Sequence, residues 1–192
     1  MRALLVVDIQ NDFCEGGALG VAGGTHVAQS VSRYIAEHGS EYAVIVASRD
    51  WHDGDNDNGG HFAQDGDQPN FVTTWPVHCV SGTQGAEYHP ELTLPGETIH
   101  VEKGQGVPSY SMFEGHGDDG RTVEEILSQF GVNQVDVVGI ATDHCVRASA
   151  MDARHAGLAV RVLDNLVAAV SPETEQTARI EMSEAGVVFA DH

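Results

Sequence analysis

Three side chains able to attack, hold or move a proton sit at the ends of apolar runs. Asp8 closes ALLVV (3–7), Lys103 closes TIHVEK (98–103), and Cys145 follows GIATDH (139–144). Lys103 is the single lysine of the chain; the other eight of its nine basic residues are arginines. Arginine replaces lysine in most surface ion pairs, but not as a compact point charge whose pKa moves on burial. Chance and a site that needs an ammonium both account for the retained lysine. Cys145 opens a helix after a strand, where backbone N–H groups favour a thiolate and can bind an oxyanion. Packing as a small hydrophobe is the usual fate of cysteine, and Cys14 and Cys79 are read that way. A carboxylate at the end of a buried strand, such as Asp8, is costly unless partnered. Beside a thiol it can take the proton, with an ammonium steadying the resulting thiolate. A structural buried ion pair explains Asp8 and Lys103 equally well; the triple of Asp8, Lys103 and Cys145 at three strand ends is harder to explain as structure.

A second set of groups has the composition of a metal site. RDWHDGDNDNGGHFAQ and TWPVHC place Asp50 and His52 at a strand end, then His61, then His78. Imidazole and carboxylate donors suit zinc, iron or manganese. With 11 histidines in the chain some clustering is expected, so a solvated acidic loop with incidental histidines is the plain alternative. Asp53, Asp55 and Asp57 look like the start of a calcium loop, but the glycine and glutamate of an EF-hand are not in place.

The elements that must position these groups alternate. Continuous apolar runs at 3–7, 42–50, 98–103, 134–142 and 159–167 predict strands buried on both faces, with a last strand over 187–191. Helical spacing appears at Val27, Val31, Tyr34 and Ile35 within 24–38. Further helices are expected over 121–131, stopped by Gly131, over 143–157, stopped by Gly157, and over 171–186, with Ser171 as N-cap and Pro172 in the first turn. Strand and helix in alternation give an α/β fold, a parallel β-sheet flanked by helices on both faces. Sites in such folds lie beyond the carboxyl ends of the strands. Those ends carry Asp8, Asp50, Lys103 and ATDHC. The segment 51–97, rich in Gly, Asp, Asn, Pro and His, is a long loop of the kind that usually carries function.

Bulk properties narrow the partners. A chain of 192 residues fits one domain with a substantial core. Its formal charge of 9 − 29 = −20 argues against nucleic acid and anionic membrane, which would repel it. ALLVVDIQ is too short and too soon interrupted by Asp8 for a targeting segment, and no run approaches a membrane span. Three distant cysteines imply no disulfide framework, so a reducing cytoplasm is the expected compartment.

The segments LLVVDIQNDFCEGGALGV, ASRDWH, WPVHCVSGTQGAEYHP, EKG and VVGIATDHCVRASAMDA together resemble the nicotinamidase/pyrazinamidase family of the isochorismatase-like cysteine hydrolases, from residue 1 to the C-terminus. The resemblance implies a single Rossmann-like three-layer domain over 1–192, with a metal-binding loop region at about 50–97. It implies a triad of Asp8, Lys103 and Cys145, and one divalent metal (zinc, iron or manganese) on Asp50, His52, His61 and His78. It implies an oxyanion hole from the N–H groups of Ala141 and Cys145 and a cis peptide between Ile140 and Ala141. Phe13, Leu19, Trp75, Tyr110 and His144 would line a ring pocket. The implied activity is hydrolysis of nicotinamide to nicotinate and ammonia through a cysteine thioester, with pyrazinamide as a second substrate and a monomer or homo-oligomer as the assembly. Alternatives are a metal-independent hydrolase of another small amide or carbamoyl amide, and a non-catalytic metal-binding protein on the same fold.

Overall fold

The computed structural model of the chain describes residues 1–64 and 66–191. The strands are β1 (Arg2–Val7), β2 (Val44–Asp50), β3 (Ile99–Lys103), β4 (His116–Gly117), β5 (Gln134–Ile140), β6 (Ala159–Ala168) and β7 (Val188–Ala190). They form one sheet in the order β4-β3-β2-β1-β5-β6-β7. All pairings are parallel except that of β4, a two-residue antiparallel strand on the edge of β3. The parallel sheet is as expected, with the antiparallel β4 added at its edge; a strand of two residues, one of them glycine, leaves no periodic signal to read.

Alternation along β1 divides the interior. Ala3, Leu5 and Val7 point into one core, Leu4 and Val6 into the other. Helix α1 (Gly24–His38) covers the second with Val27, Ala28, Val31, Tyr34 and Ile35. Helices α2 (Val123–Gln129), α3 (Arg147–His155) and α4 (Pro172–Glu184) cover the first. The three-layer reading therefore holds, with boundaries shifted by capping. Thr122 caps α2 in a reciprocal box with Glu125, so the helix starts later than expected. Ser171 caps α4 through the Thr174 N–H, as expected. β2 starts at Val44, because Tyr42 follows a 3-10 turn and its hydroxyl bonds to Asp136 at 2.7 Å. β5 stops at Ile140, where the peptide to Ala141 is cis. The expected helix over 143–157 opens as a wide π-turn, Thr142–Val146, before α3.

From β1 the chain passes to β2 and β3 on one side and later to β5 on the other. The carboxyl ends part at that switch and leave a crevice, the usual ligand position in such sheets. Close approach of β5 to β1 requires Gly139, where a Cβ would stand 2.0 Å from the Val7 carbonyl oxygen. Among the described residues no helix is long and apolar enough to cross a membrane.

Candidate active site and metal centre

Register brings the first group together. Asp50 and Lys103 are direct partners in the β2–β3 ladder, and Asp8 follows β1 next door in the left-handed region at φ 47°. Lys103 is fully buried, and its Nζ lies 3.0 Å from Asp8 Oδ2 and 3.8 Å from Cys145 Sγ. The same ammonium pairs with Asp50 Oδ1, so it joins both sets of candidate residues. Asp8 Oδ1 accepts the Ser48 hydroxyl at 2.7 Å.

Burial and these charges set the protonation states. Burial alone would neutralise Lys103, but Asp50 and Asp8 outweigh it and hold the ammonium well above its ordinary range. Burial raises Asp8 against the pull of Lys103, making it a stronger base than a free carboxylate. For Asp50, burial is overcome by Lys103 and the imidazoles of His52 and His78, and its carboxyl stays well below the usual range. Burial pushes the Cys145 thiol up, with Lys103 opposing. Cys145 is therefore held toward its thiol form, with carboxylate oxygens of Asp8 and Asp50 within 4.8 Å of its Sγ. Cys14 and Cys79 are buried free thiols, and burial lifts Cys14 to about 12.

The second group also converges. The donor atoms of His52, His61 and His78 all lie within 4.8 Å of one another. Asp50 Oδ2 stands 3.6 Å from His52 Nε2 and 3.8 Å from His78 Nε2. His52 Nδ1 donates to the Gly104 carbonyl at 2.8 Å and His78 Nδ1 to the Pro76 carbonyl at 2.7 Å, which leaves each Nε2 lone pair free. Among the described residues, His52 Nε2 and His61 Nδ1 are buried without a hydrogen-bond partner. Orphaned nitrogens of this kind are expensive in a dry interior and are the natural places for a cation. Burial, with the other two imidazoles, draws His61 down to about 3, so it is neutral and able to ligate. The donor set fits one divalent cation.

Above both groups opens a cavity of about 300 Å³. Asp50, His61 and His78 line it, as do Ala141 and Cys145. The five expected pocket residues, Phe13, Leu19, Trp75, Tyr110 and His144, all line it. Trp75 Nε1 donates to the Tyr110 hydroxyl at 2.8 Å, and its ring meets His144 edge-on at 5.1 Å.

Residues 2–192 match the model of the isochorismatase domain. The chain belongs to the isochorismatase family. This family member is 48% identical to the nicotinamidase/pyrazinamidase of Mycobacterium tuberculosis, over 97% of each chain. Among solved structures it is similar to the pyrazinamidase of Pyrococcus horikoshii in complex with zinc, at TM-score 0.85 and 37% identity over 100% of this chain and 99% of that one. It is also similar to PnC1 from L. infantum in complex with nicotinate, at TM-score 0.82 and 32% identity over 100% and 92% of the two chains.

Several residues that hold this isochorismatase-family site escaped the sequence reading. Gln10 is fully buried; its amide clasps the Asp50 main chain on both sides at 2.8 Å and also donates to the Ala86 carbonyl. Polar Asp8 and Gln10 alternating with buried Ile9 were the available signal. Gly104, at φ 89°, passes so close to His52 that a Cβ would lie 2.5 Å from its ring. Asn58, buried at φ 49°, ties the metal loop to the turn after β3 by bonds to Asp53 and Gly106. Phe71 also lines the cavity.

Proposed function

We propose that this chain hydrolyses nicotinamide to nicotinate and ammonia, and pyrazinamide likewise, with Cys145 as nucleophile. The observation that carries the reading is the fully buried Lys103 ammonium, within reach of Asp8, Asp50 and Cys145 together. In the bound state the aromatic walls hold the planar ring and set the carboxamide over Cys145, which removes most of the orientational entropy from the reaction step. Asp8 takes the thiol proton as Sγ attacks the carbonyl carbon, and Lys103 stabilises the developing thiolate. The N–H groups of Ala141 and Cys145 receive the oxyanion, each donor contributing about 3 kcal/mol by the usual measure of such holes. Asp8 then delivers its proton to the departing nitrogen, releasing ammonia and leaving a thioester. For the second half Asp8 accepts a proton from the attacking water and returns it to Sγ as nicotinic acid leaves, which ionises to nicotinate by losing its proton to solvent. Asp50, His52, His61 and His78, whose donors suit zinc, iron or manganese, would hold one divalent cation, which would supply Lewis-acid chemistry toward the ring nitrogen.

The test is release of ammonia and nicotinate from nicotinamide, with each of the three metals supplied in turn, together with mass spectrometry for a nicotinoyl group on Cys145. Turnover of a carbamoyl amide in place of nicotinamide, unaffected by chelator, would favour the metal-independent alternative. Metal binding with no turnover of any amide would favour the non-catalytic one.

A further inference from the structure

A second groove, of about 820 Å³, adjoins the catalytic cavity. Three residues line both spaces and so form the wall between them: Phe71, Tyr110 and His144. Tyr110 is tied to Trp75 by its hydroxyl, and His144 packs against the same indole. Phe71 is different. It is 57% exposed, and its one ring neighbour of note is Trp75, met edge-on at 6.2 Å.

Its backbone is nevertheless constrained. Phe71 sits at φ 56°, a region that aromatic residues rarely occupy. The Asn70 side chain holds it there. Asn70 Oδ1 accepts the N–H groups of Val72, Thr73 and Thr74 at 2.9, 2.8 and 3.0 Å, and Nδ2 donates to the Thr73 hydroxyl at 2.9 Å. The Phe71 N–H itself donates to the Thr74 carbonyl at 3.1 Å. Strained backbone of this kind persists where the surroundings over-determine it, and it clusters at ligand clamps. Packing does not explain the strain here, because the ring is mostly in solvent.

Resting on the functional reading above, the direction of the bound ring follows. Cys145 holds the carboxamide at ring position 3, and the imidazole cluster faces the ring nitrogen at position 1. Position 2 lies between them, and position 5, diametrically opposite, points away from both. We propose that Phe71, presented by Asn70, is a specificity-determining residue that closes the mouth opposite ring position 5 and restricts the enzyme to heteroaromatic carboxamides without a bulky 5-substituent. Without that ring the cavity runs into the groove, and nicotinamides carrying an aryl group at position 5 become substrates.

The experiment compares kcat/KM for nicotinamide and 5-phenylnicotinamide in the parent protein, Phe71→Ala, Asn70→Ala and Phe71→Tyr. The ratio of the aryl substrate to nicotinamide should rise by about tenfold to a hundredfold in Phe71→Ala, the range that one hydrophobic wall group is worth in discrimination. It should rise less in Asn70→Ala and stay at the parent value in Phe71→Tyr. Binding of nicotinate and 5-phenylnicotinate to the metal-loaded protein, measured by calorimetry, should shift in parallel. An unchanged ratio in Phe71→Ala in both measurements overturns the proposal. A parent protein that turns over neither amide refutes the functional reading instead, and the binding ratio of the two acids then decides the role of Phe71.

Discussion

Asp8, Asp50 and Lys103 stand on the ends of adjacent strands, while His61, Phe71 and Trp75 hang on the 51–98 segment above them. On the floor, position is a consequence of ladder register: Asp50 is opposite Lys103 because Val46 is opposite Ile99. At the mouth there is almost no ladder. Among the described residues three single bridges involve the segment: Gln10 with Tyr88, His52 with Val80, and Phe62 with Trp75. The remainder is held by scattered backbone turn bonds and by side chains bonding to backbone, with Asn58, Phe71 and Cys79 in the left-handed region. Register is stiff, since slipping a strand by one residue turns every side chain over. Knots built on one asparagine are local and can be undone singly. Chemistry that tolerates little displacement is therefore assigned to the floor, and substrate selection to the mouth.

The largest effects should come from the floor. Cys145→Ala is expected to cut nicotinamide turnover by about four orders of magnitude or more, the scale seen when a nucleophile is removed. Bound metal, measured on the same preparation, should stay at the parent level. Cys14→Ala and Cys79→Ala should retain most of the activity, since both thiols are buried packing groups.

Lys103 tests whether the floor depends on charge or on shape. Lys103→Ala leaves Asp8 and Asp50 facing each other in a dry site, which should cost about 3–5 kcal/mol of stability. Lys103→Arg keeps the charge but replaces a compact ammonium with a planar fork. A displacement of about 1 Å at reacting groups costs on the order of a hundredfold in rate, so the arginine variant should lose about that much. A folded Lys103→Arg protein with near-parental turnover, checked by thermal melt, would show that only the charge matters.

Gly104 is the joint between floor and mouth. Gly104→Ala forces a Cβ against His52 at a positive φ, and the strain should cost about 1–3 kcal/mol. Metal content should fall with it. Full metal occupancy in this variant would mean that the His52 ring can be displaced without loss of the site.

The smallest effect concerns the clasp behind Cys145. Burial would raise the Asp143 carboxyl, but bonds from His144, Thr174 and the Val170 N–H outweigh it and bring it down to about 2. An unfolded aspartate titrates near ~3.9. The folded value is the lower one, so this carboxylate stabilises the protein above about pH 4, and the contribution fades as pH falls through 2. Asp143→Asn should cost about 1–2 kcal/mol at pH 7. Melts from neutral to acid pH should show the gap to the parent closing; a constant gap would rule out ionisation as the source.

The continuous apolar run ALLVV, the helical spacing of 24–38 and the cap at Ser171 are each legible within a few residues, and they determined the layers, the order of the elements and the polar residues at the strand ends. They also left Asp8, Lys103 and Cys145 on one edge as candidates, and the histidines as a possible metal set. What local pattern could not decide was which of these side chains touch. Only the folded sheet shows Lys103 shared between Asp8 and Asp50, Gln10 clasping a strand 40 residues away, and the edge strand β4. The same holds for the mouth, where the bonds by which Asn70 folds the chain around Phe71 belong to the tertiary structure alone. Periodicity reports which face of an element is dry. Contacts between residues far apart in the chain are settled by register and loop closure, which depend on all the elements at once.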